Sequence, residues 1–235
     1  MSENGHQTDK KSSAGVDVDP REDEMHFPAG LETPLRDDAF ELDDEEKVQR
    51  ITAHFKEIME TLGLDLTNDS LEGTPERVAR LYVQELFKGL QPAQKPEIRV
   101  FENSYQYGEM LIEKNISVQS ACEHHFLPMT GKAHVAYISD GHVIGLSKIN
   151  RIVDYYARRP QVQERLTRQI AQEMKQALNT EDVAVFMECR HYCVIMRGAN
   201  DTGSTTVTTS FTGQFEQENL KKQFFDAIRM EMKGD

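Results

Sequence analysis

Two short Cys/His runs, Cys122-Glu123-His124-His125 and His191-Tyr192-Cys193, lie about seventy residues apart and constrain this chain more than any other feature. Zinc favours thiolate and imidazole, and a catalytic zinc typically holds three protein ligands with a fourth position left for water. Cys122, His125 and Cys193 supply that set only in a fold that brings both segments together. Histidines then remain over to move protons. Alone, a Cys-x-x-His or a His-x-Cys is more often a buried thiol or a surface imidazole. Together they predict metal-assisted chemistry on a small molecule. Cys189 lies four residues before Cys193, and in a strand positions 189, 191 and 193 share a face, so it could compete as a ligand.

Charge is gathered at one end of the chain. Residues 1–46 hold fifteen Asp/Glu against four Lys/Arg, whereas the remainder holds 25 against 23. A nearly neutral body lacks the basic face that a nucleic-acid partner requires; a small local basic pocket is compatible with it. The tail has only scattered apolar residues, Phe27, Leu31 and Phe40 among them, too few to offset chain entropy. Residues 1–46 are therefore expected to be disordered, docking at most through Phe40 and Leu42. Three cysteines make no disulfide framework and suit a reducing compartment. The first residues lack the basic start and apolar run of a secretory signal. No uncharged apolar stretch approaches membrane-spanning length. A cytoplasmic protein without membrane contact is the expectation.

From Asp44 the pattern turns helical. Val48, Ile51, Phe55, Ile58, Met59 and Leu62 recur at helical spacing, and Gly63 closes the run. Thr74 reads as an N-cap with Pro75 at the first helical position, for a helix that stops near Gly89. Pro92 and Pro96 separate this N-terminal helical segment, 47–96, from a body over 97–235. In the body, 133–138 and 143–146 read as a hairpin about the turn Ser139-Asp140-Gly141-His142. Residues 148–178 read as helical, with Val162, Leu166, Ile170, Met174 and Leu178 inward and Arg165, Arg168, Gln172 and Lys175 on the surface. Val183–Met187 reads as a buried strand, 204–215 as a Thr-rich strand region bending near Gly213, and Leu220–Met232 as a last helix. The fold class is α+β, an antiparallel sheet with helices on one face.

The run Ser120-Ala121-Cys122-Glu123-His124-His125-Phe126-Leu127-Pro128 closely resembles GTP cyclohydrolase I. So do Gly145-Leu146-Ser147-Lys148-Ile149-Asn150-Arg151, Gln161-Val162-Gln163-Glu164-Arg165-Leu166-Thr167, and His191-Tyr192-Cys193 through Met196-Arg197-Gly198. The similarity extends from about Val48 to the C-terminus. It implies the tunnelling fold, assembled as a homodecamer of two pentamers with active sites between subunits. It also implies conversion of GTP and water to 7,8-dihydroneopterin triphosphate and formate, the first step of folate and pterin biosynthesis.

The resemblance carries over Cys122, His125 and Cys193 as ligands of one Zn2+ per subunit. It makes His124 the acid that protonates N7 of the purine and His191 a second proton carrier, a role that suits imidazole. Glu123 either orients groups beside the metal or balances charge. Glu164 is implied to hold the guanine edge, whose N1–H and 2-amino group are both donors to a carboxylate, with Gln163 in the same wall. The chain has no Gly-x-x-x-x-Gly-Lys phosphate loop. Lys148, Arg151, Arg197, Arg77 and Arg80 are the implied dispersed cations for the triphosphate, and Ser147 lies near the ribose. Met129 and Cys189 depart from the family pattern, which predicts altered packing and, if Cys189 is accessible, sensitivity to oxidation. Two rivals remain: another tunnelling-fold pterin or purine enzyme, and a non-catalytic zinc-stabilised binding protein, which would need a fourth protein ligand.

Overall fold

Helix α1, Asp44–Thr61, begins where Asp43 and Glu46 cap each other. The Asp43 carboxylate accepts from Glu46 N–H at 2.8 Å, and the Glu46 carboxylate accepts from Asp43 N–H at 3.0 Å. This capping box satisfies two otherwise orphaned donors, and the acidic first turn opposes the helix dipole. The computed structural model that gives this geometry describes residues 31–230, so the expectations for residues 1–30 and for the end of the last helix at Met232 lie outside it. Within the described residues α1 starts inside the segment expected to be disordered. Phe40 is half exposed, and the contacts to the body come earlier: Leu31 C=O accepts from Gln169 Nε2 at 2.8 Å and Thr33 Oγ1 from Arg159 Nη1 at 3.2 Å.

After a single-turn α2, Asp69–Glu72, helix α3 runs Thr74–Arg80 with Gly73, not Thr74, at its cap position. Thr74 Oγ1 instead accepts from Arg77 at 2.8 Å. From Leu81 to Leu86 the chain takes the wider π winding, closed by Phe87 N–H on Tyr82 C=O at 3.0 Å.

The main sheet has the order β5-β2-β3-β6-β7. Strands β2 (Met110–Cys122), β3 (Pro128–Ile138), β6 (Val183–His191) and β7 (Thr206–Phe211) pair antiparallel, and the two-residue β5 (Pro160–Gln161) joins β2 in parallel. A bulge at Asn115, φ +62, shifts the register between Glu113 and Ile116. Such a shift reverses which side chains face which layer. Ile116, Val118, Val135, Val185 and Met187 therefore pack together against α4 (Leu146–Ala157) and α5 (Gln163–Leu178), through Ile149, Ile152, Leu166, Ile170 and Met174. The expected helical layer is in place. A further helix, α7 (Glu218–Arg229), covers part of the opposite face, where Phe224 and Phe225 join Phe215, Phe186 and Phe211.

Two sequence expectations fail locally. Strand β4, His142–Ile144, pairs with β1, Val100–Glu102, and not with β3, so no hairpin forms. The turn itself is present, with Gly141 at φ +87 and Ser139 Oγ donating to His142 C=O. Strand β3 has no edge to offer: Ile138 pairs with Met110 on one side, and on the other its N–H donates to Asp182 C=O. The expected helix over 148–178 breaks into α4 and α5. Pro160 lacks an N–H and disfavours the helical conformation at Arg159, and the freed chain pairs with Ala121–Cys122 instead. No helix among the described residues is long and apolar enough to cross a membrane.

Candidate metal centre

The break at Pro160 builds one wall of the centre. Cys122 ends β2, and a tight turn returns the chain to β3 at Pro128, with Cys122 N–H donating to Leu127 C=O and Phe126 N–H to Cys122 C=O, each at 2.8 Å. Glu123 N–H donates to Gln161 C=O at 3.0 Å, so β5 holds the turn from the side. Cys193 arrives from the far end of β6 in the single-turn α6, Tyr192–Ile195, because β6 pairs with β3 as far as His191 opposite Met129.

Ligand atoms of Cys122, His125 and Cys193 all lie within 4.8 Å of one another. Bonds of about 2.0–2.3 Å to a tetrahedral zinc would set such atoms roughly 3.3–3.8 Å apart, so a contraction of about 1 Å closes the set. Burial and the neighbouring Cys122 thiol push Cys193 up to about 11. Two sulfurs and an imidazole are the donor set that zinc favours. Arg197 Nη1 stands 2.5 Å from His125 Nε2. A guanidinium only donates, so that nitrogen is an acceptor, and a metal bound at Nε2 would take the lone pair that Arg197 now occupies.

Cys189 does not compete. The strand ends at His191, so Cys193 leaves the alternation, and Cys189 is buried in the core, its thiol pushed by burial up to about 12. It packs behind Gly131, where an added Cβ would lie 2.7 Å from its Sγ and 2.0 Å from Glu188 C=O. That burial also answers the expected sensitivity to oxidation, and Met129 is likewise enclosed in the core. Among the described residues, the groups of three or more possible ligands reduce to Cys122, His125 and Cys193. A closed four-ligand structural site thus has no support.

Around the three ligands the other candidates fall into two sets. His124 Nδ1 lies 3.8 Å from Cys122 Sγ, with Nε2 4.0 Å from Glu123 Oε1. His191 Nε2 lies 2.8 Å from Gln163 Oε1. Gln163 is buried, and its amide donates to Met187 C=O, Thr206 C=O and Thr208 Oγ1, so its oxygen must be the atom facing His191. His191 therefore carries its proton on Nε2. Burial lowers its pKa, and the Glu164 carboxylate, exposed in the first turn of α5, opposes that shift. Gln163 is thus engaged in holding an imidazole, where the sequence suggested a pocket wall.

Glu123 has a partner that the sequence reading put on the surface. Arg165 is 3 % exposed and grips Glu123 Oε2 through Nη1 at 2.7 Å and through Nη2. The signal was readable as a polar line at four-residue spacing: Gln161, Arg165, Gln169 and Glu173 are all buried. Gln161 Nε2 donates to Gln169 Oε1 at 2.8 Å, and Glu173 accepts from Tyr156 OH and Lys95, each at 2.7 Å.

Residues 51–229 match the GTP cyclohydrolase I family. A GTP cyclohydrolase 1 of Flavobacterium johnsoniae is 55% identical over 208 residues, 88% of this chain and 93% of its own. Those of Aeromonas hydrophila and Aeromonas salmonicida are each 50% identical over 201 residues, 85% of this chain and 91% of theirs. The chain belongs to the GTP cyclohydrolase I family. Its activity is that of a GTP cyclohydrolase, a hydrolase of folate and pterin biosynthesis, and its fold is the family's tunnelling fold.

Against a GTP cyclohydrolase activity, the remaining candidates are notable for their distance from the metal ligands. Ser147, Lys148 and Arg151 lie in the first turns of α4. That helix starts beyond the far end of β3 and runs back to β5 beside Cys122, a length of about 18 Å for its 12 residues. Within one chain these groups and the metal ligands sit toward opposite ends of the sheet. Arg77 is held by Thr74 Oγ1 and Ser70 C=O, and Arg80 by Glu76 and Glu45.

Proposed function

We propose that this GTP cyclohydrolase opens the imidazole ring of GTP at a Zn2+ held by Cys122, His125 and Cys193, one per subunit. Formate is released, and ribose rearrangement with ring closure gives 7,8-dihydroneopterin triphosphate. The single observation carrying the reading is the convergence of two sulfurs and one imidazole within 4.8 Å, without a fourth donor grouped with them among the described residues. When bound, zinc supplies a Lewis acid that activates water near neutral pH.

The chain's own groups do the rest. His124, beside Cys122, delivers the proton to N7 that makes C8 electrophilic. His191, kept neutral by burial and oriented by Gln163, presents its unprotonated Nδ1 to accept a proton. Glu164 accepts from the guanine N1–H and 2-amino group, and Glu123, fixed by Arg165, keeps the turn and His124 in register. Arg197 stands at the metal side for the phosphates, and Lys148 and Arg151 supply further positive charge, with Ser147 near the ribose. Arg77 is a weaker contributor, and Arg80 would have to leave Glu76 and Glu45 to reach a phosphate.

A complete site then needs two subunits, the metal half from one and the α4 half from its neighbour. The separation along α4 supports this, as does the family's decamer of two pentamers. Three unpaired thiols suit a cytoplasmic setting. The test is incubation with GTP, following formate and the pterin chromophore with and without chelator. Cys193→Ser and Arg151→Ala should each be nearly inactive alone. Mixed and reassembled, they should recover about a quarter of the wild-type sites, as random pairing across a shared interface requires. No recovery from a mixed oligomer, or a monomer by light scattering, refutes the shared site; turnover in metal-free Cys193→Ser refutes the metal.

A further inference from the structure

We propose that Phe126 is a positioning residue that clamps the metal-bearing turn onto the N-terminal helical segment through the rings of Tyr82 and Phe87. The proposal rests on the reading of Cys122, His125 and Cys193 as metal ligands. Phe126 directly follows His125, and its backbone sits at φ +55. In that region a bulky side chain is an outlier, kept only where the surroundings over-determine it. The other non-glycine residues there among those described are three asparagines and a glutamine. Phe126 is the one with nothing polar to satisfy locally.

Two features hold it. Its N–H donates to Cys122 C=O, which closes the turn around the first ligand. Its ring stands edge-on to Phe87, 5.2 Å between centroids at 80°, and 6.4 Å from Tyr82. Tyr82 and Phe87 are themselves 5.2 Å apart, although five residues separate them. In an α-helix such positions diverge by about 140°. The π winding over Leu81–Leu86 brings them into line, and single π turns of this kind are frequent at functional sites. The ring is also half exposed, lining a cavity of about 500 Å³, so general burial does not hold it. The aromatic trio does. Since His125 and Phe126 are adjacent, the clamp sets where the imidazole ligand stands relative to Cys122 and Cys193. It also gives the N-terminal helical segment a part in metal retention.

The test compares Phe126→Gly, Phe126→Leu and Phe126→Tyr in the full-length, assembled enzyme. Glycine takes positive φ freely, so Phe126→Gly relaxes the backbone while deleting the ring, and Phe126→Tyr keeps the ring. Readouts are zinc affinity by chelator competition, melting temperature, and kcat and KM for GTP. Phe126→Gly and Phe126→Leu should bind zinc roughly tenfold more weakly, the scale of a lost aromatic pair. The fall in turnover should appear in kcat, with KM within about twofold, and Phe126→Tyr should match wild type. Phe87→Leu should reproduce the loss and add little to Phe126→Gly. Wild-type zinc affinity in Phe126→Gly overturns the clamp, as does a loss that Phe126→Tyr fails to restore. Should Phe126→Gly not fold, Phe126→Leu decides the same comparison. A wild-type protein that binds no zinc overturns the metal reading instead, which keeps the two failures apart.

Discussion

Removing either member of the Glu123–Arg165 pair should destabilise the protein, but by different amounts. The Arg165 side chain is 2% exposed and that of Glu123 27%. Glu123→Ala strands a guanidinium that cannot reach water and whose Nε already lacks a partner. Breaking a buried pair in this way costs about 3–5 kcal/mol. Arg165→Met leaves a carboxylate that can turn toward solvent, and methionine fills much of the volume, so a loss of about 1–2 kcal/mol is expected. At about 2–4 °C per kcal/mol for a chain of this size, Glu123→Ala should lower Tm by about 6–20 °C and Arg165→Met by about 2–8 °C. The double variant should sit close to Arg165→Met, because the stranded charge is gone. Thermal melts at one fixed protein concentration and fixed zinc, repeated after chelation, read this directly. Equal losses in the two single variants, adding in the double, would refute the claim that Arg165 is the buried, dependent partner.

Gln163→Leu removes the acceptor of His191 Nε2 and takes a donor from Met187 C=O, Thr206 C=O and Thr208 Oγ1, the last of which keeps Thr167 Oγ1. A stability loss of about 1–3 kcal/mol should accompany a fall in kcat with a displaced acidic limb in the pH–rate profile; an unmoved profile would mean that Gln163 does not orient the imidazole. His134, in β3 beside the bulge, has its pKa lowered by burial and by Lys114. A histidine depressed in the fold contributes stability above its unfolded pKa and loses it as pH falls through the folded value. Wild-type Tm should therefore drop more steeply than that of His134→Gln as pH falls below about 6.5, and parallel curves would remove His134 from the cause.

Hydrophobic periodicity found most of the helices, because that signal acts within a few residues, whereas the expected Thr74 cap was displaced by one residue. Val48 to Met59 and Leu166 to Leu178 lie in helices where their spacing predicts them, and Leu62 caps the first. The hairpin after Ile138 and the unbroken helix over 148–178 failed because both depended on pairing with distant chain. Strand β3 was already flanked, and the residues around Pro160 found partners in β2. Arg165 was misplaced for the same reason, since an amphipathic pattern assumes one buried face, whereas α5 lies between the sheet and the segment at Leu31–Thr33.

By itself the sequence determined which chemical groups are to hand: two sulfurs and an imidazole of the types a zinc ion favours, further histidines beside them in the chain, and a carboxylate of the kind that can accept from a guanine edge. Residue identity sets ligand hardness and proton affinity wherever the chain goes. Tertiary structure alone decided which of these groups share a volume. It set Cys193 against Cys122, hid Cys189 behind Gly131, fixed Glu123 with Arg165, and put Lys148 and Arg151 in the first half of α4, away from the end that leads to β5 and Cys122. Those outcomes depend on strand register and on which edges remain open, and both are settled by contacts between residues far apart in the chain.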